Sequence, residues 1–234
     1  MNARNAGLLL AACLALSGCP SASVRPPPPP KEAPPAVGVP DLRGATVFNV
    51  DSEASTVHIH VFRGGALARL GHNHVVTSKQ VSGRIWTHPT LSRSGFELQF
   101  PVATLIVDDP AARAAAGSEF ASEIAPKDRD GTRQNMLRPE VLDAERHPTI
   151  TLRSVRIDGS AERPQVTTRI TIKGVARDVE VPAVVRIEGE RLTAMGEFDI
   201  RHTDFEMKPF SVGLGALEVQ DRLHIVFEIV ARRE

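Results

Sequence analysis

Apolar and polar residues alternate with a period of two along most of the chain from Ala45 onward. In Val57-His58-Ile59-His60-Val61 and again in residues 96–102, every second side chain is apolar. This alternation is typical of antiparallel strands that bury one face. The same pattern returns in five later runs, at residues 150–152, 166–172, 179–187, 192–200 and 223–229.

Turn residues separate these runs, as in Ser82-Gly83, Asp158-Gly159 and Glu188-Gly189-Glu190. Glycine accepts the positive φ values that tight connections require. Seven to nine strands joined by short turns predict either a sandwich or a closed barrel.

The strand pattern lapses between residues 108 and 146. Residues 111–116 are rich in alanine and favour a helix, and residues 133–142 favour one or two helical turns interrupted by Pro139. We therefore expect a short helical insertion that covers one end or one side of the sheet.

Residues 1–19 have the layout of a secretory signal, because Arg4 precedes an apolar run that is followed by small residues. The run is about eleven residues long, which is shorter than the roughly 20 residues of a membrane-spanning helix. Leu16-Ser17-Gly18-Cys19 resembles the lipobox of bacterial lipoproteins. This resemblance implies that the mature chain starts at Cys19 and carries acyl groups such as palmitate there. The alternative is an ordinary signal with a chance cysteine.

Residues 20–40 are dominated by proline and predict an extended tether, or alternatively a proline motif that docks a partner. Pro20 stands where a signal for retention in the inner membrane would resemble Asp, so we expect an anchor in the outer membrane, facing the periplasm. Residues 41–234 then form a single folded domain, which is long enough to bury one substantial core.

Charge and cysteine content narrow the function. The chain has 28 Lys and Arg residues against 28 Asp and Glu residues, so a basic surplus that would favour nucleic acid is missing from the sequence. Cys13 and Cys19 are the only cysteines and both precede the predicted domain, which rules out a disulfide framework there.

Five segments, in order, resemble the family of YceI-like domains over approximately residues 47–230. They are Phe48-Asn49-Val50-Asp51 with Ser55-Thr56-Val57; Val81-Ser82-Gly83-Arg84-Ile85; Met136-Leu137 and Glu140-Val141-Leu142-Asp143 leading into His147-Pro148-Thr149-Ile150-Thr151-Leu152-Arg153-Ser154; Thr171-Ile172-Lys173-Gly174-Val175-Ala176-Arg177; and Arg201-His202-Thr203-Asp204-Phe205.

The resemblance implies a mainly β fold, an antiparallel extended lipocalin-like β-barrel of about eight strands with a short helical insertion. It also implies an apolar amphiphile as the ligand, such as an isoprenoid, a quinone or a fatty-acyl compound. Two positions depart from the family's pattern: Glu206 replaces a usual glycine, and Gly71-His72-Asn73-His74 replaces the commoner early loop. By the same resemblance, Arg201 and Asp204 close a structural turn.

The alternation itself allows a barrel that is filled by side chains or one that encloses a ligand. Ala183, Ala194 and Gly196 are small residues in strand runs and would leave room inside. We expect the tail of the ligand to contact four inward-facing residues, which are Phe100, Ile170, Phe198 and Phe227.

His72 and His74 are spaced so that a strand would place both on one face, and we expect them at the rim of the barrel, against the polar end of the ligand. The pair could instead bind a metal ion, as could His58 and His60. A third metal ligand would have to come from elsewhere in the chain, and the candidates are His88, Asp108, His202 and Asp204.

Common catalytic signatures, such as G-x-S-x-G and H-E-x-x-H, are missing from the sequence, so we expect a binding protein that uses neither a cofactor nor a metal. Two alternatives stay open: a metal-dependent envelope protein that uses the His72 and His74 pair, and a structural envelope protein with a filled barrel. The oligomeric state stays undetermined by the sequence.

Overall fold

The computed structural model describes residues 38–234. The predicted signal, the lipidation of Cys19 and most of the predicted tether lie outside these residues and stay predictions. Within the described residues, helices are too short or too polar to cross a membrane.

Thirteen antiparallel strands make up one sheet. They are β1 (Thr46–Val50), β2 (Thr56–Gly64), β3 (His74–Ser78), β4 (Ser82–Thr87), β5 (Gly95–Pro101), β6 (Ile106–Val107), β7 (Thr149–Gly159), β8 (Pro164–Ile172), β9 (Val175–Pro182), β10 (Val184–Glu188), β11 (Arg191–Arg201), β12 (Ser211–Val212) and β13 (Leu217–Arg233). The predicted class, a mainly β antiparallel lipocalin-like fold with a helical insertion, is confirmed.

Two features of the sheet account for three of the strand segments beyond the expected eight. β6 and β12 have two residues each and are too short to show a period. The run at residues 179–187, which reads as one strand, divides at Ala183: β9 pairs with β8, whereas β10 pairs with β11. The chain thus changes partner in the middle of an unbroken alternation, and a sequence pattern does not show this.

β13 organises the sheet because it is the longest strand and both of its edges are paired. β11 pairs along one edge, and β2 and then β1 pair along the other. From β1 the sheet continues through β4, β5, β7 and β8 to β9. β9 and β11 come into contact, but the described strands show no hydrogen-bonded register between them, so the wrapped sheet has a seam at this position.

Gly196 lies at that seam. A Cβ atom at this position would stand 2.3 Å from the carbonyl oxygen of Pro182 and 2.7 Å from the ring of Phe227. The missing side chain therefore lets β11 approach the end of β9, and the ring of Phe227 occupies the remaining space. The expectation that Gly196 leaves room for a ligand is wrong for this reason.

Two α-helices form the insertion, α1 (Pro110–Ala115) and α2 (Pro126–Leu137). Asp109 caps α1 by accepting hydrogen bonds from the backbone N–H groups of Ala111 and Ala112. The insertion covers the outside of the sheet where Val75, Ala112 and Phe120 pack together. The end of α2 packs against the main core, so the insertion covers both a side and an end of the sheet.

The hairpin between β8 and β9 explains why the family segment at residues 171–177 contains Lys173-Gly174. Lys173 and Gly174 form a two-residue connection, and their φ angles are 54° and 75°. Positive φ at both residues defines the type I′ turn that suits the twist of antiparallel strands. Gly174 also contacts the ring of His147, since a Cβ atom there would lie 2.8 Å from that ring.

Candidate functional site

An apolar cavity of about 330 Å³ runs through the interior of the wrapped sheet. Its wall is formed by every second residue of the strands, as in Val57, Ile59 and Val61 of β2. No lining residue carries a formal charge, and the polar ones apart from Trp86 are Thr87, His88, Ser94, Thr168 and His202.

The four predicted tail contacts all line this cavity: Phe100, Ile170, Phe198 and Phe227. Phe198 and Phe227 pair edge to face, with ring centroids 6.2 Å apart. Ala183 and Ala194 also line the wall, as expected for small residues that leave room. That these side chains contact a bound ligand stays a prediction.

The two ends of the cavity differ in exposure. At one end the lining includes exposed Pro89 and Ala161, and Ile187 is 47% exposed. At the other end the lining residues Leu142, His202 and Met207 are each less than 10% exposed. We call the first end the mouth and the second the closed end.

A histidine stands near each end, and one hydrogen bond at each ring decides which nitrogen carries the proton when the imidazole is neutral. At the mouth, His88 Nδ1 accepts from the backbone N–H of Thr90 at 2.9 Å, which places the ring proton on Nε2. At the closed end, His202 Nδ1 donates to the carbonyl oxygen of Asp221 at 3.0 Å, which leaves Nε2 of the neutral ring as an acceptor. Burial lowers the pKa of His202, and the Asp221 carbonyl only partly opposes this.

The structure does not bring His72 or His74 to the cavity wall. His72 precedes β3 and His74 begins it. His74 pairs with Val61 and therefore starts β3 on its inner face, but it is not part of the cavity wall, and its Nδ1 lies 2.7 Å from Asp108 Oδ2. The two rings are 6.5 Å apart at their centroids. His72 Nδ1 is buried and has no hydrogen-bond partner among residues 38–234. Direct contact of this pair with a ligand therefore gains no support from the geometry and stays a prediction.

Asp108 is the centre of a buried polar network outside the cavity. Besides His74, its carboxylate accepts from the backbone N–H of Val75 and from Arg113 Nη1, at 3.0 and 2.7 Å. Arg113 also donates to the carbonyl oxygens of Asn73 and Phe120. Burial acts to raise the pKa of Asp108, but its bonds to His74, Val75 and Arg113 outweigh it and hold the pKa below its usual value. The network ties β3 to the helical insertion.

This arrangement bears on the metal alternative. Asp108 was a candidate third ligand for the His72 and His74 pair, and it does lie beside His74, but the Arg113 guanidinium occupies its second oxygen. In the part of the chain that the structure describes, His, Cys, Asp and Glu side chains form no group of three or more that could hold a metal ion.

His58 and His60 face outward, since their neighbours Val57 and Ile59 line the cavity. His58 Nδ1 is hydrogen-bonded to Thr77 at 3.0 Å, and the ring of His60 contacts those of Phe120 and His224. Burial is the main cause that lowers the pKa of both histidines. Sequence reasoning missed His88 and His202 as polar members of the cavity wall; they were considered only as metal ligands.

Comparisons with known proteins agree with the fold. The YceI-like domain family matches residues 48–231. Among solved structures, BcnA of Burkholderia cenocepacia has a TM-score of 0.59 at 20% sequence identity, over 78% of this chain and 99% of that one. A polyisoprenoid-binding domain from Saccharophagus degradans, implicated in plant cell wall breakdown, has a TM-score of 0.54 at 13% identity, over 81% and 99%. No curated protein matches the sequence.

Proposed function

This chain belongs to the family of YceI-like domains, and we propose that it binds an apolar, chain-like ligand in its cavity and acts as a carrier without catalysing a reaction. The observation that carries this proposal is the uncharged wall of a cavity with one exposed and one buried end. Burying hydrocarbon gains about 0.8 kcal/mol per methylene, so such a wall binds a long chain with few polar contacts. The relative from Saccharophagus degradans that binds a polyisoprenoid has a similar fold, which supports this ligand class.

The polar end of the ligand is proposed to lie at the mouth. There the Nε2–H of His88 can donate to a hydroxyl, a carbonyl or a quinone oxygen. His88 replaces the His72 and His74 pair in this role because it lines the cavity and they do not.

We further propose that the protein is a lipoprotein, anchored through Cys19 to the outer membrane and facing the periplasm. Support comes from the sequence alone: a signal layout, the Leu16-Ser17-Gly18-Cys19 segment and a proline-rich stretch before the domain. A Cys19→Ser variant expressed with its own leader should leave the membrane fraction. Sedimentation of that variant with membranes after a high-salt wash would refute the anchor without affecting the cavity proposal.

The cavity proposal is tested by filling the cavity. Ala194 lines the wall, whereas its neighbour Thr193 does not. We expect organic extracts of the purified wild-type chain, analysed by mass spectrometry, to contain a long apolar molecule. Ala194→Phe should remove this molecule, and the matched control Thr193→Phe should keep it, with thermal melting to show that both fold. Clean extracts from folded wild-type protein made in an isoprenoid-producing host would favour a filled barrel instead.

A further inference from the structure

Exposed apolar side chains concentrate at one place on the surface. Nine large apolar residues are exposed in the described part of the chain. Five of them lie on the connection between β2 and β3 and on the segment of residues 206–217, which includes the short strand β12. We call these five the apolar tip; they are Leu67, Leu70, Phe210, Val212 and Leu214.

The two loops form one unit. The backbone N–H of Leu67 donates to the carbonyl oxygen of Ala216 at 2.6 Å. Gly65 has a φ of 85°, and a Cβ atom there would lie 2.3 Å from the carbonyl oxygen of Gly215. This close approach holds the loops together, so the apolar tip is one surface carried on two connected turns.

Folding does not account for the apolar tip. Leu214 is fully exposed, at 108% of its reference area, and its φ is 56° between two glycines that also have positive φ. A γ-branched residue in this conformation is strained, and its exposed side chain gains nothing from burial in the fold. Leucine at this position therefore indicates contact with something outside the domain.

We propose that the apolar tip inserts into the surface of a lipid bilayer. A stable interface with a second copy or a folded partner takes about 20 to 30 residues a side, and the five residues of the apolar tip are too few for it. A bilayer accepts a few apolar side chains and requires no matching shape. Exposed Arg69, between Leu67 and Leu70, and exposed Lys208, close to Phe210, supply cations for anionic headgroups.

The position of the apolar tip gives this proposal a consequence for the cavity. β2 and β13 carry the tip beyond Val61 and Leu223, which line the cavity near its closed end. The described chain starts near the mouth, where Asp41 pairs with Arg93. Insertion of the tip would therefore direct the mouth away from that bilayer, toward a water-soluble donor or acceptor of the ligand. The insertion itself does not depend on the proposed function.

The test uses the position of tryptophan. Trp86 is the single tryptophan of the chain and is 5% exposed, so it gives a constant background. Leu214→Trp places a second tryptophan on the apolar tip of the full chain, and Ile187→Trp places it at the mouth as the matched control. Each variant is mixed with vesicles of phosphatidylethanolamine and phosphatidylglycerol whose acyl chains are brominated, and tryptophan emission is recorded.

We expect the added emission of Leu214→Trp to shift to shorter wavelength and to lose most of its intensity, while Ile187→Trp and the wild type stay unchanged. Leu70→Trp should repeat the result from the other loop. Quenching of Ile187→Trp alone would show that the mouth faces the bilayer and would overturn the proposal. The proposal would also be overturned if the Leu214→Trp chain bound the vesicles without quenching. A blue shift that grows with protein concentration before vesicles are added would overturn it too, because that shift indicates a second copy on the apolar tip.

Discussion

The inner and outer faces of β2 differ in chemistry although they alternate along the same nine residues. Val57, Ile59 and Val61 line the uncharged cavity. His58 and His60, between them, face outward toward the helical insertion and β13. The same division continues on β13, where Ile225 lines the cavity and His224 bonds to Asp199 outside.

The two faces therefore have different roles, although their residues alternate in one sequence pattern. The inner face offers hydrocarbon for binding, whereas the outer face holds the covering segments through buried polar contacts such as Arg113 with Asp108. Substitutions on the inner face should therefore change ligand binding, and those on the outer face should change stability alone.

The largest effect is expected from a charge on the inner face. Ile170 is 3% exposed and lines the cavity. Ile170→Asp should abolish recovery of the apolar ligand and should lower the free energy of unfolding by several kcal/mol, because the carboxylate is buried without a partner. Thr171→Asp, one residue further along β8 and facing outward, is the matched control and should keep the ligand. Ligand in the extract of folded Ile170→Asp protein would contradict the assignment of the inner face.

The next effect tests the outer face. Arg113→Met leaves the Asp108 carboxylate buried without its cation, and breaking such a pair costs about 3–5 kcal/mol. We expect denaturant unfolding to show this loss while the affinity for the ligand stays unchanged. Arg186→Met, at an exposed arginine of β10, should change neither quantity. A loss of affinity in folded Arg113→Met protein would show that the two faces are coupled.

The sequence predicted the inner face well because one physical rule determines it. Strands alternate, and a buried face selects apolar residues, so Phe100, Ile170, Phe198 and Phe227 could be placed inside from the period alone. The helical insertion was also expected, although α2 begins at Pro126, earlier than the apolar residues around Met136 suggested. The first turns of α2 are exposed and polar, and such turns leave no period to read.

The sequence could not predict the positions of the polar residues. The spacing of His72 and His74 suggested a place at the rim, but His74 bonds to Asp108, which is distant in the sequence, and neither histidine lines the cavity. Nothing local to His88 identifies it as a cavity residue. At position 206, in contrast, the backbone conformation explains the family's usual residue. The φ of 55° is left-handed and suits glycine, and Glu206 adopts the same left-handed conformation in this chain.

A smaller effect is expected in the pH dependence of the free energy of unfolding, which should differ between a histidine on the inner face and one on the outer face. Burial lowers the pKa of His202 on the inner face and of His60 on the outer face. An unfolded histidine takes up a proton near pH 6.5, and the folded one resists it. The free energy of unfolding should therefore be highest above pH 6.5, and it should fall as the pH drops toward the pKa of the folded histidine.

Each unit by which folding lowers the pKa of a histidine corresponds to about 1.4 kcal/mol in the free energy of unfolding. His202→Phe should flatten the pH dependence between pH 7.5 and 5 more than His60→Phe does, because His202 is more deeply buried. Denaturant unfolding at several pH values measures both slopes. Equal slopes in both variants and the wild type would mean that neither histidine is kept neutral by burial.

The smallest effect concerns His72, whose Nδ1 is buried without a hydrogen-bond partner in the described residues. Replacing an unsatisfied buried polar group by an apolar one of similar shape is nearly neutral or stabilising. His72→Leu should therefore raise the free energy of unfolding by no more than about 1 kcal/mol. It should leave ligand affinity unchanged, because His72 does not line the cavity.

His88→Leu is the matched comparison for His72→Leu, since His88 is a residue of the cavity wall and His72 is not. We expect it to weaken the binding of a ligand with a hydroxyl or carbonyl end by about 1 kcal/mol, the net worth of one hydrogen bond. A fluorescent fatty alcohol, titrated into both variants and the wild type, measures the affinities. The opposite result, weaker binding by His72→Leu and unchanged binding by His88→Leu, would show that the connection between β2 and β3 contacts the polar end of the ligand. Ligand binding would then not be confined to the residues of the cavity wall.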